Sequence, residues 1–121
     1  MDRILEQSLL YDFYGEMLTT HQKEIYEDFV LDDLSLAEIA EVHGISRQGV
    51  HDIVRRTNRQ LAGYEEKLHL VERFLDTKEK VEEIRKTARK ISEEAEDMDR
   101  EKLLARVKKI DTISGDILKE L

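Results

Sequence analysis

The sequence predicts an all-α protein, and three features of the chain predict it. Proline is absent and glycine occurs five times in 121 residues, so little interrupts a helix. Apolar residues recur at helical spacing from Ile4 onward, and no stretch alternates like a strand. Charged residues make up 40% of the chain, the proportion of long helices with solvated faces. The length is that of about one domain, enough for a helical core and too little for a large enzyme pocket.

The first helix is expected over Arg3 to Leu18. Leu5, Leu9, Phe13 and Met17 form one row and Leu10, Tyr14 and Leu18 a second beside it, together a broad buried face. Thr19 and Gln22 supply a capping box, Thr-x-x-Gln, for a second helix that buries Ile25, Tyr26, Phe29 and Val30 before the polar Asp32-Asp33 turn. Ser35 and Glu38 supply another box, and Leu36, Ile39 and Ala40 then share one face up to Gly44, a residue suited to a left-handed helix end. Ser46 is the next N-cap, followed by Val50, Val54, Thr57 and Leu61 at spacings of four, three and four. Two short capped helices joined by a tight turn, with small Ala40 where they cross, read as a helix-turn-helix. That geometry leaves the start of the second helix, Arg47, Gln48 and His51, free to enter a groove.

The apolar row continues through Tyr64, Leu68, Val71 and Leu75 with a seven-residue period, which predicts one long helix of more than roughly 40 Å. At Asp76-Thr77 the row slips, and a break is expected there with Asp76 and Glu79 as a cap. Beyond it Val81, Ile84, Ala88, Ile91, Ala95 and Met98 form one stripe, and Leu103, Leu104, Val107, Ile110, Ile113, Ile117, Leu118 and Leu121 another. They read as two antiparallel helices joined near Asp97 to Asp99. The chain thus divides into a helix-turn-helix domain, 1–75, which includes the long fourth helix, and a C-terminal helical hairpin, 76–121. A hairpin alone buries too little, so it is expected to pack on the long helix or to pair with a second subunit, and a homodimer is expected.

The net charge of −8 opposes nucleic acid at first sight, because phosphate binding draws on Lys and Arg. Its distribution answers the objection: residues 1–45 hold eleven acids against Arg3 and Lys23, whereas residues 46–60 hold four arginines against Asp52 alone. The one basic patch is the second helix of the helix-turn-helix. Ser46, Arg47, Gln48, His51, Arg55, Arg56 and Arg59 are therefore the candidate nucleic-acid-binding residues. Arg47 and Gln48 suit base reading, since Arg forks onto guanine and Gln onto adenine; Arg55, Arg56 and Arg59 would track phosphates. The bland alternative is a solvated face with local salt bridges from Asp52 to Arg55 or Arg56. Gly49 inside a helix costs about 1 kcal/mol relative to Ala, which tight packing against the preceding helix or a partner's close approach would explain.

Several functions are excluded. With no cysteine there is no disulfide, thiolate zinc site or thiol nucleophile, and the charged start Met1-Asp2-Arg3 lacks a signal-peptide core, so a cytoplasmic protein is expected. Nothing approaches the ~20 apolar residues of a membrane span. Gly44-x4-Gly49 is no phosphate loop, because Val50 stands where its lysine is needed. Glu66-x-x-His69 is a single half-motif where a di-iron bundle requires two, and His21, His43 and His51 share no helix-face spacing. No metal, cofactor or catalytic residue is expected, and an enzyme is not.

The residues Leu9-Leu10-Tyr11-Asp12-Phe13-Tyr14, Leu18-Thr19, Gln22, Asp32-Asp33, Ser35-Leu36, Glu38-Ile39-Ala40, Ser46-Arg47-Gln48, Val50, Asp52, Arg55-Arg56-Thr57, Leu61, Tyr64-Glu65 and Lys67-Leu68-His69-Leu70 resemble the YlxM family of bacterial proteins. The resemblance spans about residues 9–70. It implies a fold similar to region 4 of bacterial sigma factors, whose helix-turn-helix reads a promoter element. It also implies a regulatory place in the signal recognition particle pathway, beside whose GTPase the family's genes lie. Gly49 and His51 depart from the small Ala and the aromatic that the family pattern leads one to expect at those positions.

Three functions follow as expectations. The first is a regulator of the signal recognition particle pathway, contacting the particle's RNA or its GTPase, with the acidic residues 1–45 facing a basic partner. The second is a sequence-specific DNA-binding regulator with two recognition helices set by dimer symmetry. The third is a helical adaptor that binds through its C-terminal stripes.

Overall fold

The computed structural model describes residues 3–121, and among them no strand occurs. In chain order the helices are α1 (Arg3–Tyr14), a 3-10 turn (Gly15–Met17), α2 (Thr20–Val30), α3 (Leu36–His43), α4 (Arg47–Leu68), α5 (Leu70–Glu94) and α6 (Arg100–Glu120). The fold is the expected all-α helix-turn-helix with a long helix after the turn and a helical hairpin at the C-terminus. No helix among the described residues is long and apolar enough to cross a membrane. The chain divides into two units, 1–71 and 72–121.

In the first unit α4 is the central element, and α1, α2 and α3 pack on its back. Val50, Val54, Thr57 and Leu61, the four positions expected from spacing, are its buried face. Against them lie Tyr14, Ile25, Tyr26 and Ile39, all almost fully buried. The tyrosine hydroxyls that this core encloses are satisfied by side chains around it. Tyr26 donates to Asn58 Oδ1 at 2.5 Å, Tyr11 to Glu27 at 2.6 Å and Tyr14 to Glu65 at 2.5 Å. Burial therefore raises all three phenols above their ordinary value, Tyr26 up to about 12, while Glu27 and Glu65 add to the effect at Tyr11 and Tyr14.

Both capping boxes form as spaced. Thr19 Oγ1 accepts from Gln22 N–H at 3.2 Å while Gln22 Oε1 accepts from Thr19 N–H at 3.1 Å, and Ser35 and Glu38 exchange the same pair. Gly44 ends α3 with φ 65°, the left-handed conformation that costs an L side chain about 1 kcal/mol or more.

Three expectations need correction. The first helix stops at Tyr14, not Leu18, because Thr19 must adopt extended backbone to cap α2, and Gly15–Met17 tighten into a 3-10 turn instead. Gly15 also lies beneath the Tyr11 ring, where a Cβ would come within 2.9 Å of it. Of the two apolar rows, Leu10, Tyr14 and Leu18 are buried with Tyr11, whereas Leu5, Phe13 and Met17 lie exposed. The reason is Tyr11, whose ring tilts onto Tyr26 at 5.6 Å and turns that side of α1 inward.

The second correction concerns the long helix, which ends at Leu68 rather than Leu75. His69 takes left-handed backbone, φ 56°, and α5 then runs without a break through Asp76-Thr77. Asp76 is not a cap; it pairs with Lys80 one turn on, at 3.2 Å. Long-range groups make the interruption at His69. Tyr14 Oη accepts the Leu70 N–H at 3.1 Å and Glu65 Oε1 the Val71 N–H at 2.9 Å, satisfying donors that a new helix start leaves open.

In the second unit α5 and α6 form the antiparallel hairpin, with Asp99 capping α6 through the Lys102 N–H at 2.8 Å. Its seam is the third correction. Thr87 and Ile113 are buried and Ile84, Ile91, Ile110 and Ile117 half-buried, while Val81 and Ala88 stay exposed. Thr87 belongs inside because its hydroxyl donates to the Glu83 carbonyl at 2.9 Å and leaves only a methyl to pack. Ion pairs line the seam ends, Glu94 with Arg106 at 2.6 Å and Lys80 with Glu120.

Candidate nucleic-acid interface

The candidate interface is the outer surface of α4. Ser46 caps it, accepting the Gly49 N–H at 2.9 Å, and Gly49 has no side chain to reach back, so this helix start has a cap without a box. A Cβ at Gly49 would meet Ser46 Oγ at 3.0 Å. The only other atom within 4 Å is Ile45 Cδ1, in the turn, so packing against α3 does not account for the glycine.

Helical geometry sorts the candidates. At about 100° per residue, Gln48, His51, Arg55 and Arg59 fall on one stripe about 130° round from the buried face, whereas Arg56 lies about 100° round from Arg55 and off it. All five are exposed, as are Ser46 and Arg47. The salt bridges weighed against this reading do not form. Asp52 instead accepts from Gln48 Nε2 at 3.1 Å and lies 3.9 Å from His51 Nδ1. Among the described residues none of Arg47, Arg55, Arg56 and Arg59 makes an ion pair, so their charge is available to a partner.

The helix-turn-helix shapes the ground around the stripe. Leu36 at the start of α3 joins Arg47, Gln48 and His51 in lining an open concavity of about 480 Å³. A second cleft of about 440 Å³ follows, where Arg3 and Gln7 of α1 face His51 and Arg55. Arg3 is a further cation on this surface that the sequence offers no sign of, since 48 to 52 positions separate it from the residues it joins. The turn itself is held by His43, whose Nε2 lies 2.8 Å from Asp28 Oδ2 and ties the end of α3 to α2. Gln22 Nε2 likewise donates to Thr57 at 3.3 Å and Gln60 at 3.0 Å, fixing α2 to the back of α4. The stripe therefore sits on a helix whose other side is fully engaged.

A family model and several relatives are similar to this sequence. Residues 1–101 match the model of the family described as "Putative helix-turn-helix protein, YlxM / p13 like". A UPF0122 protein of Caldanaerobacter subterraneus subsp. tengcongensis is 49% identical over 84 residues, 69% of this chain and 72% of its own. A UPF0122 protein of Acetivibrio thermocellus is 44% identical over 107 residues, 88% of this chain and 92% of its own. The UPF0122 protein YlxM of Bacillus subtilis is 40% identical over 96 residues, 79% and 87% of the two chains.

Proposed function

The chain belongs to the YlxM/p13-like helix-turn-helix family, and on that premise we propose that it is a regulatory binding protein of the signal recognition particle pathway that docks on the particle's RNA through α4. It is a binding protein and not an enzyme. The observation that carries this reading is the stripe of Gln48, His51, Arg55 and Arg59, exposed on one face and, among the described residues, with its arginines free of ion pairs in a chain of net charge −8. Unpaired arginines on an acidic protein retain the charge needed to displace counterions from phosphates. Arg55 and Arg59, one turn apart, contact successive phosphates; Arg3 adds a third cation beside them. Gln48 and His51 carry the donors that reach 2′-hydroxyls and base edges. The acidic residues 1–45, on the other helices of the same unit, suit a basic protein surface, which the particle's GTPase would provide.

A second reading, a sequence-specific DNA-binding regulator, is favoured by one observation: Arg47 and Gln48 stand at the first turn of α4 beside an open concavity. That is where a recognition helix meets base edges in a major groove. Crosslinking of the tagged protein in cells, with sequencing of the attached nucleic acid, separates the two. Enrichment of the particle's RNA is the expected result. Enrichment of discrete genomic sites with an inverted repeat would replace the first reading by the second, and no enrichment of nucleic acid would refute both.

A further inference from the structure

The hairpin of α5 and α6 has two unlike flanks. On one, Glu83 and Lys109, each the residue before a half-buried isoleucine, pair at 3.2 Å. Because the helices are antiparallel, equivalent positions of the two share a flank. The opposite flank therefore carries the residues that follow the other seam positions: Val81 after Lys80, Ala88 after Thr87, Val107 after Arg106 and Ser114 after Ile113. Leu104 and Leu118 border it on α6. Val81 is 49%, Leu104 54%, Val107 49% and Leu118 69% exposed, so one flank is charged and paired while the other is apolar and open. The single hydroxyl on it, Ser114, donates to the Ile110 carbonyl at 2.8 Å and makes no demand of its own.

We propose that this flank is a self-association surface, on which a second copy of the chain packs its own hairpin to complete an antiparallel four-helix bundle. Two properties select a second copy. The first is charge: the three hairpin ion pairs set Arg85 of α5 and Asp111 of α6 at about the same height, bordering the apolar strip on opposite sides. Among the described residues neither makes an ion pair. A two-fold axis parallel to the helices lays each α5 across the other copy's α6, antiparallel and level, and brings Arg85 of each copy to Asp111 of the other. The second is size. The same operation sets small Ala88 of α5, and Ala95 just past its end, against Val107 and Leu104 of α6, and Val81 against Ser114 and Leu118, so that large side chains meet small ones. The apolar residues run about 20 Å along each helix, so the face is about 20 Å by 20 Å, roughly 400 Å², about half the ~800 Å² per partner of a standard interface, and the Arg85–Asp111 pairs extend it at its borders.

The test is the solution mass of the full chain by light scattering during gel filtration at about 10 µM. The expected result is twice 14.3 kDa for the native chain. Arg85→Asp and Asp111→Arg each place like charges at both contacts of the homodimer, and each variant alone is expected to run as a monomer. Mixed one to one they form a heterodimer with both contacts opposite in sign, so mixing restores the doubled mass, an outcome that no effect within one chain produces. Leu118→Glu, at an exposed position, is expected to give a monomer of unchanged helical circular dichroism. A native chain that stays monomeric, variants that stay dimeric, or a mixture that does not dimerise would each overturn the proposal.

Discussion

Replacing Tyr14 by Phe removes one oxygen and tests how the end of α4 is joined to the start of α5. The ring remains, with its partners: Tyr64 lies 5.9 Å away, centroid to centroid, and the side chain is 1% exposed. The oxygen makes two bonds, donating to Glu65 at 2.5 Å and accepting from the Leu70 N–H at 3.1 Å. A hydrogen bond to a carboxylate contributes about 1.5–3 kcal/mol and a neutral one about 1, so Tyr14→Phe should cost about 2–4 kcal/mol. That is a large share of the ~5–15 kcal/mol by which small domains are stable. Urea unfolding followed by tyrosine fluorescence gives the total. Hydrogen exchange at the Leu70 and Val71 amides gives the local part, because Glu65 also holds Val71 and loses its own anchor. Faster exchange at both amides is expected. A variant within about 0.5 kcal/mol of the native protein, with both amides exchanging as before, would refute the assignment of the helix break to this pair.

Other outcomes follow from the same structure. Gly44→Ala should destabilise by about 1–2 kcal/mol because φ is +65° there, whereas Gly63→Ala, inside α4 with nothing within 4 Å of the new Cβ, should stabilise by about 1 kcal/mol; thermal unfolding measures both. Alkaline pH should unfold the first unit. Tyr11, Tyr14 and Tyr26 all have folded pKa values raised above the unfolded value near 10, so their stabilisation is complete below pH 10 and is lost as pH rises, by up to about 1.4 kcal/mol per tyrosine per pH unit. Tyrosinate absorbance of these three rising together with loss of helical signal above pH 10 is expected; ionisation of Tyr11, Tyr14 or Tyr26 near pH 10 in a protein that stays folded, read residue by residue by NMR, would contradict the buried network. Arg3→Ala should weaken nucleic-acid binding in a filter assay as much as Arg55→Ala does, since both line one cleft.

Local chemistry was readable in the chain and distant chemistry was not. The caps at Thr19, Ser35 and Ser46 depend on residues within three positions, and so does the left-handed end at Gly44. The α4 core row was readable too, because one face of one helix meets three others along its length. Periodicity could not find the break at His69. The spacing from Leu68 to Val71 is itself helical, and the groups that open the chain there, Tyr14 and Glu65, are brought together across 51 positions. The slip at Asp76 that suggested a break instead marks the change from the α4 row to the hairpin seam, where a self-satisfied Thr87 displaces Ala88 from the interior. At the interface, composition located the basic helix, yet only the fold places Arg3 beside Arg55.

The most direct test of the central claim, that the α4 stripe docks on phosphates, is the salt dependence of binding to the particle's RNA, compared among Arg55→Ala, Arg59→Ala and Arg56→Ala. Each phosphate contact contributes about 0.7–0.9 to the slope of log affinity against log salt. Arg55→Ala and Arg59→Ala are each expected to lower the slope by that amount and Arg56→Ala to leave it unchanged. Equal slopes for all three variants and the native chain, or no binding at low salt, would contradict the claim.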